Sequence, residues 1–296
     1  VSYFKQNNIK VDIQDLFGQN PKKCTLTESK IILGNKVSSL NFDHLKNIRC
    51  FFIYANQVAN HNCIEEIVKY LKNNFNNIPI IILENSQAVT AYSLNIISEK
   101  LLNLGCDYLV VGDLEYTALD LYKNLNNQDK LKKISGLISK SFKNNKINFV
   151  ENLDKLPFPA WEEFPLKNYW DLGYAHGPLS AKKYLPILTS RGCPYPCNFC
   201  VVPATNARRW RARSAKNLVE EIKYLKSKFN VSEFHLEDLN PTVNEKRTNE
   251  ICDLFINEAI NIVWKIVSGT KVESIKNLNT VNKMHKAGCR YISISP

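Results

Sequence analysis

From residue 50 to the end, short apolar runs alternate with stretches whose apolar residues recur at helical spacing. No other feature constrains the fold as much. Runs at 50–54, 79–83 and 107–111 read as strands. Between them Ile64, Ile67, Val68 and Leu71 recur at 0, 3, 4 and 7, and Leu94, Ile97, Leu101 and Leu104 at 0, 3, 7 and 10. Gly105 is placed to end the second helix. Residues 9–13 read as a further strand, preceded by the tail of a helix around 3–6. Strands that alternate with helices build βαβ units on a parallel sheet, so the first half is expected to be α/β, a doubly wound, Rossmann-like domain over 1–125 that lacks its first strand. Ligands of such sheets sit beyond the carboxyl ends of the strands, here after Tyr54, Leu83 and Val111.

The alternation breaks in Leu156-Pro157-Phe158-Pro159-Ala160-Trp161, where two prolines impose an extended path. Residues 126–182 therefore read as a linker, held on a domain surface by Phe158, Trp161 and Phe164. Over 183–296 the alternation resumes, with strands at 186–189, 233–236, 262–267 and 290–294. Helices are expected at 214–229, capped by Ser214, at 245–260, and at 275–287, closed by Gly288. Four strands and three helices in this order describe a βα barrel of the TIM-like kind, cut after its fourth strand.

Composition excludes several classes. Of the 296 residues 44% are hydrophobic and 23% charged, as in globular proteins that bury a core. The 39 Lys+Arg outnumber the 28 Asp+Glu to give +11, but 36 Asn and the lysines are spread evenly along the chain. The excess thus reads as a solvated basic surface, and no nucleic-acid partner is expected. The longest apolar runs, such as 78–83, fall far short of the roughly 18 residues a membrane helix needs. No signal-peptide pattern follows Val1, and the expected location is the cytoplasm. Of nine cysteines, Cys24, Cys50, Cys63, Cys106, Cys252 and Cys289 lie scattered in apolar or helical settings, where a small buried thiol is the ordinary outcome. An odd number in a chain this long does not suggest a disulfide scaffold.

The other three crowd into eight residues of Ser190-Arg191-Gly192-Cys193-Pro194-Tyr195-Pro196-Cys197-Asn198-Phe199-Cys200, just after the first barrel strand. The spacing is C-x₃-C-x₂-C, and Gly192 with two prolines shapes a tight loop able to turn three thiolates to one point, as an iron–sulfur cluster requires. Three ligands leave one iron of a [4Fe–4S] cube open. A zinc knuckle completed by His176 or His235 is the competing assignment, although no second C-x₂-C pair is present.

With Phe199 before the last cysteine, this loop resembles that of radical S-adenosylmethionine (SAM) enzymes. The resemblance implies a [4Fe–4S] cluster on Cys193, Cys197 and Cys200 whose open iron chelates SAM. It also implies reductive cleavage to a 5′-deoxyadenosyl radical, with the protein positioning the cofactors and excluding water and oxygen. It further implies SAM contacts from Phe199, from Glu237 and Asp238 at the end of the second barrel strand, from Ser268 and the adjoining Gly269 after the third, and from Ser293 and Ser295 on the fourth. The acidic pair is also compatible with capping the next helix.

The first half narrows the resemblance. An α/β domain ending in Val111-Gly112-Asp113-Leu114-Glu115-Tyr116-Thr117, then the proline-rich linker, then the cluster loop, is similar to the cobalamin-binding subclass of radical SAM proteins. That subclass includes methyltransferases and the anaerobic magnesium-protoporphyrin ester cyclase. Cobalamin would lie near Asn85, Gly112 and Glu115, where a glycine lets the backbone approach a corrin edge. Two departures stand out: Glu84-Asn85-Ser86 replaces the family's paired glycines, and no Asp-x-His-x-x-Gly motif is present. A degenerate domain that keeps only the fold is the alternative.

Arg208, Arg209, Trp210, Arg211 and Arg213 follow the loop, a composition that can grip phosphates or stack on bases. They support a rival, a methylthiotransferase-like radical SAM enzyme acting on tRNA or protein, with Cys24, Cys50 and Cys63 as its further cluster ligands. A non-enzymatic α/β module with a structural metal is the third reading. The leading one implies a small-molecule substrate and an electron donor such as flavodoxin or ferredoxin. It also makes the chain a fragment, short of one strand in front and at least two βα units behind.

Overall fold

The alternation becomes two separate parallel sheets in the computed structural model of the protein, which describes residues 1–27, 30–40, 42, 47–91 and 93–295. The sheets belong to two units, one of residues 1, 3–151 and 195–208, the other of residues 2, 152–194 and 209–296.

In the first unit, α1 (Ser2–Gln6) leads to a two-stranded antiparallel hairpin, β1 (Cys24–Leu26) and β2 (Ile31–Leu33). Residues 9–13, expected as a strand, pair with none. Their alternating apolar side chains serve packing instead: Ile9 and Val11 lie against Phe4, Ala118 and Leu119. The sheet proper has the order β3 (Phe51–Ala55), β4 (Ile80–Glu84), β5 (Tyr108–Val110), β6 (Leu137–Ile138). The first three are parallel, and β6 closes the edge antiparallel. Four helices accompany them: α2 (His61–Asn74), α3 (Ser98–Leu104), α4 (Leu114–Lys123) and the short α5 (Gln128–Leu131).

Strand alternation explains why β4 is apolar up to its last residue, Glu84. Ile80 and Ile82 pack with Ile64, Val68 and Leu71 of α2 and with Leu101 and Leu102 of α3, whereas Ile81 meets Leu121 of α4 and Leu131. Helices cover both faces, so no position on β4 can be polar without cost. Helix α3 starts at Ser98, four residues later than its periodicity suggested, because Leu94 is buried from a turn.

In the second unit α6 (Leu166–Leu172) precedes β7 (Tyr184–Ile187). Trp161, Leu166 and Trp170 pack on the core, and Phe158 stacks near Tyr224, as expected of the proline segment. After β7 comes a short antiparallel pair, β8 (Ser190–Arg191) with β9 (Arg211–Ala212); between these strands the chain runs through residues 195–208, which are counted with the first unit and include α7 (Val202–Asn206). Then follow α8 (Ala215–Phe229), β10 (Glu233–Leu236), α9 (Glu245–Asn257), β11 (Val263–Lys271), α10 (Leu278–Lys286) and β12 (Cys289–Ser295). The sheet order is β12-β11-β10-β7, parallel throughout. Ser214 caps α8 by accepting from the Asn217 amide at 3.1 Å. One face of the sheet packs on the helices through Leu185, Phe234, Leu236, Trp264 and Ile266, against Leu218, Ile222, Ile251 and Met284. Each fully buried side chain of this size contributes about 1.5–3 kcal/mol. Pro296 lies outside the described residues.

Candidate functional site

The cysteine loop leaves the carboxyl end of β7 through Thr189 and β8. Gly192 takes φ +79°, a turn that side chains resist. Cys193, Cys197 and Cys200 are half-buried and in no disulfide. The Cys200 amide donates to Cys197 O at 3.1 Å, and the Val202 amide to Cys200 Sγ at 3.4 Å. Phe199 stands 93% exposed. Among the described residues no three His, Cys, Asp or Glu side chains converge on a metal-sized point, the loop's thiols included. The fit to a cluster rests on the donor set: three thiols within eight residues, all reachable from solvent. Elsewhere burial pushes Cys50, Cys106, Cys252 and Cys289 up to about 12, so those remain protonated core thiols.

Neither expected histidine alternative joins the loop. His176 Nδ1 lies 2.8 Å from Glu237 Oε2. His235 is buried, 2.8 Å from Glu233 Oε1 through Nε2, with Nδ1 buried and without a partner. The zinc-knuckle assignment thus loses both its candidates.

The acidic pair splits, because successive residues of a strand face opposite ways. Glu237 follows Glu233 and His235 onto the face away from the helices, and there accepts from Ser268 Oγ at 2.7 Å. Asp238 follows Phe234 and Leu236 inward and is 0% exposed. Its carboxylate accepts from the Thr189 amide at 3.1 and 3.0 Å, from Thr189 Oγ1 at 2.8 Å and from Ser190 Oγ at 2.5 Å. Burial pushes its carboxyl above the usual range, while these donors and the nearby Arg247 pull it back. Asp238, expected at SAM and compatible with capping the next helix, has its carboxylate engaged by Thr189 and Ser190, and Asn244 is the residue that caps α9.

On the Glu237 face, Lys265 Nζ donates to Pro178 O, to Ser180 Oγ at 2.6 Å and to Glu233 Oε1 at 2.7 Å, and the Ser180 amide donates to Glu233 Oε2 at 2.9 Å. Burial alone would raise Glu233, but donation by Lys265, His235 and Ser180 outweighs it and holds the carboxyl below the ordinary value. Residues 176–180 thereby lie strapped across the sheet. Sequence reasoning missed this strap, for which the polar residues at alternate positions 233 and 235, together with Lys265, were the available signal. Ser268 and Gly269 lie within β11, which outruns its expected end at 267. Ser293 of β12 is half-buried, and its Oγ stands 3.9 Å from where a Gly269 Cβ would be; Ser295 Oγ stands 2.9 Å from that point.

In the first unit, the three positions linked with cobalamin lie along one edge, beyond β4 and β5. Asn85 is buried, and its amide donates to Asn56 O at 2.8 Å. Glu115 sits in the first turn of α4, half-buried. Gly112 takes φ +87°, and a Cβ there would stand 2.3 Å from Ile147 Cγ2 and 3.0 Å from Asn148 O. The chain's own residues 147–148 thus already require a glycine at this position. An unforeseen residue ties the edge together. Glu84, 2% exposed, accepts from the Leu94 amide at 2.9 Å and the Gly112 amide at 3.0 Å, and burial raises its pKa to about 6. Its signal was a lone acid ending an apolar run.

The arginine-rich segment turns largely inward. Trp210 Nε1 donates to Asn240 O at 2.9 Å, Arg211 is buried, and Arg213 pairs with Glu221 while donating to Leu188 O at 3.2 Å. Asn206 of α7 donates to Ser86 O, and Gln87 donates to Asn206 Oδ1 at 3.1 Å.

Residues 187–296 match the family model described as the radical SAM superfamily. The "uncharacterized methyltransferase PH0819" of Pyrococcus horikoshii is 28% identical over 192 residues, 63% of this chain and 39% of that protein. The anaerobic magnesium-protoporphyrin IX monomethyl ester cyclase of Synechocystis is 31% identical over 193 residues, 62% of this chain and 35% of that protein. Among solved structures, the cobalamin-dependent SAM radical enzyme OxsB shares the fold with a TM-score of 0.63 at 18% identity, over 83% of this chain and 35% of that one. In these alignments the chain spans 35% to 39% of the length of the curated relatives.

Proposed function

We propose that this chain, whose residues 187–296 match the radical SAM superfamily model, cleaves SAM reductively, using one [4Fe–4S] cluster on Cys193, Cys197 and Cys200, with cobalamin as a second cofactor. The observation that carries this reading is the C-x₃-C-x₂-C trio, free of disulfides, at the carboxyl end of the first strand of a parallel βα sheet. When bound, such a cluster supplies an iron without a protein ligand and the electron that breaks SAM's sulfonium bond.

The chain's own residues divide the remaining work. Glu237 receives SAM's ammonium group: it is the carboxylate of the acidic pair that faces away from the core, and Ser268 Oγ already orients it. Ser293, beside Gly269, faces the carboxylate or ribose, and exposed Phe199 covers the nucleoside side. For cobalamin the support is an edge fixed by Glu84, where Asn85, Gly112 and Glu115 follow β4 and β5. The substrate is a small molecule, methylated or cyclised, as the relatives' names indicate for them. A flavodoxin or ferredoxin delivers the electron in the cytoplasm, a location that nine cysteines without a disulfide suit.

Anaerobic reconstitution of the protein tests the reading. About four irons per chain and reductive cleavage of SAM are expected; about eight irons would favour the methylthiotransferase reading and zinc alone the structural-metal module. Cys197→Ala abolishes cleavage. If that variant still cleaves SAM, the proposal fails. An extracted substrate gaining about 14 mass units would assign methyl transfer, and retention of no corrin at micromolar supply would remove cobalamin from the proposal.

A further inference from the structure

Thr189 is the last residue of the β7 end before the β8–β9 pair, and side chains from other elements hold both of its backbone polar groups. Its amide donates to both oxygens of Asp238. Its carbonyl accepts from Arg247 Nη2 at 2.8 Å and from the Arg213 amide at 3.0 Å. The Thr189 hydroxyl joins the two, donating to Asp238 at 2.8 Å and lying 3.4 Å from Arg247 Nη1. Ser190 Oγ adds a further bond to Asp238, and Arg247 Nε donates to Arg213 O at 2.7 Å just after β9. All of these groups belong to the second unit, and Asp238, Thr189 and Ser190 are buried.

We infer that Asp238 and Arg247 are positioning residues of the cluster loop, holding Thr189 and Ser190 in one backbone conformation so that Cys193, three residues on, departs in a fixed direction. The chemistry of the set supports this. An ionised carboxylate only accepts and a guanidinium only donates, so their hydrogen bonds to one residue's N–H and C=O leave it no alternative pairing. Fixing the root before metal arrives removes part of the ordering entropy that ligation would otherwise meet. Groups that orient metal ligands from behind in this way typically change metal affinity by about 10–100-fold when removed. The inference rests on the cluster reading above, and the two can fail separately.

The test uses the full chain, reconstituted anaerobically with iron and sulfide, with iron retained after desalting and the EPR spectrum of the reduced protein as readouts. Asp238→Asn places an amide donor against the Thr189 and Ser190 donors, and Thr189→Val removes the shared hydroxyl while leaving both charges. Met284→Ala, a buried change on α10, serves as a control for lowered stability alone. Iron affinity about tenfold or more below wild type in Asp238→Asn, with a shifted EPR line shape in Thr189→Val, is expected. The Met284→Ala protein keeps wild-type iron and spectrum at a comparable loss in melting temperature. If Asp238→Asn does not fold, Thr189→Val decides. Wild-type iron and line shape in both folded variants, or in Thr189→Val alone, overturns the inference while leaving the cluster reading standing. A wild-type protein that takes up no iron overturns both.

Discussion

Gly112 and Asp238 look alike as sequence signals, each the expected residue at the end of a strand, and each has a task within the protein itself: Gly112 makes room for residues 147–148, and Asp238 accepts from Thr189 and Ser190. Replacing Gly112 by alanine would keep φ at +87° and drive a methyl group into Ile147 Cγ2 and toward Asn148 O. Left-handed backbone at a non-glycine residue costs about 1–3 kcal/mol, and the collision adds to it. Urea unfolding of Gly112→Ala should therefore show a loss of at least about 1 kcal/mol. A loss under about 0.5 kcal/mol, the range of neutral surface changes, would mean that residues 147–148 move aside freely. For Asp238 the deciding signal was present in the sequence: strand alternation puts it on the face of Phe234 and Leu236, opposite Glu237. Which partners it would meet there was not legible, because Thr189 and Arg247 lie 49 and 58 positions apart from Asp238 and Thr189 respectively along the chain.

Elements were most legible where one apolar pattern answered one packing surface. Strand β10 and the body of α8 fall where periodicity put them, since Leu218, Ile222 and Leu225 all bury against one core. Residues 9–13 misled because an alternating pattern also arises in an unpaired segment laid on a helix. Strand β4 was legible except at its final residue. Glu84 ends an apolar run yet is buried, and its two oxygens bridge the amides of Leu94 and Gly112, joining the turns after β4 and β5. Its pKa is raised from 4.5 to about 6. The folded state therefore holds the proton more tightly than the unfolded chain does. This group's contribution is full below about pH 4.5 and is lost as pH rises through about 6, a change of about 2 kcal/mol at 1.36 kcal/mol per pKa unit. Glutamine cannot titrate. Urea unfolding at pH 4.5 and 7 should thus show the stability difference between wild type and Glu84→Gln shifting by about 2 kcal/mol, with wild type relatively more stable at the acid end. An equal difference at both pH values would assign the dependence to other groups.

For the molecule as a whole, the order of parts was legible: an α/β unit, a proline segment, then a parallel βα sheet with a cysteine loop after its first strand. The β1–β2 hairpin was not, since its pairing leaves no periodic trace, and the strap at 176–180 left only the polar residues 233, 235 and 265 as its trace. Net charge is the property most open to misreading at this scale. A value of +11 with an Arg-Arg-Trp-Arg stretch invites a nucleic-acid surface. Yet Trp210, Arg211 and Arg213 are committed to Asn240, to burial and to Glu221. Phosphate contacts require cations that can reach the backbone of a nucleic acid, and affinity falls steeply with salt when only diffuse charge is involved. Binding to tRNA or duplex DNA, measured by fluorescence anisotropy, should accordingly be sequence-indifferent and no tighter than about 10⁻⁶ M at physiological salt. It should also weaken roughly equally for any added pair of surface Lys→Ala changes. A nanomolar complex at that salt, lost selectively in an Arg208→Ala, Arg209→Ala double variant, would show that this segment reads a nucleic acid and would move the methylthiotransferase reading ahead of the leading one.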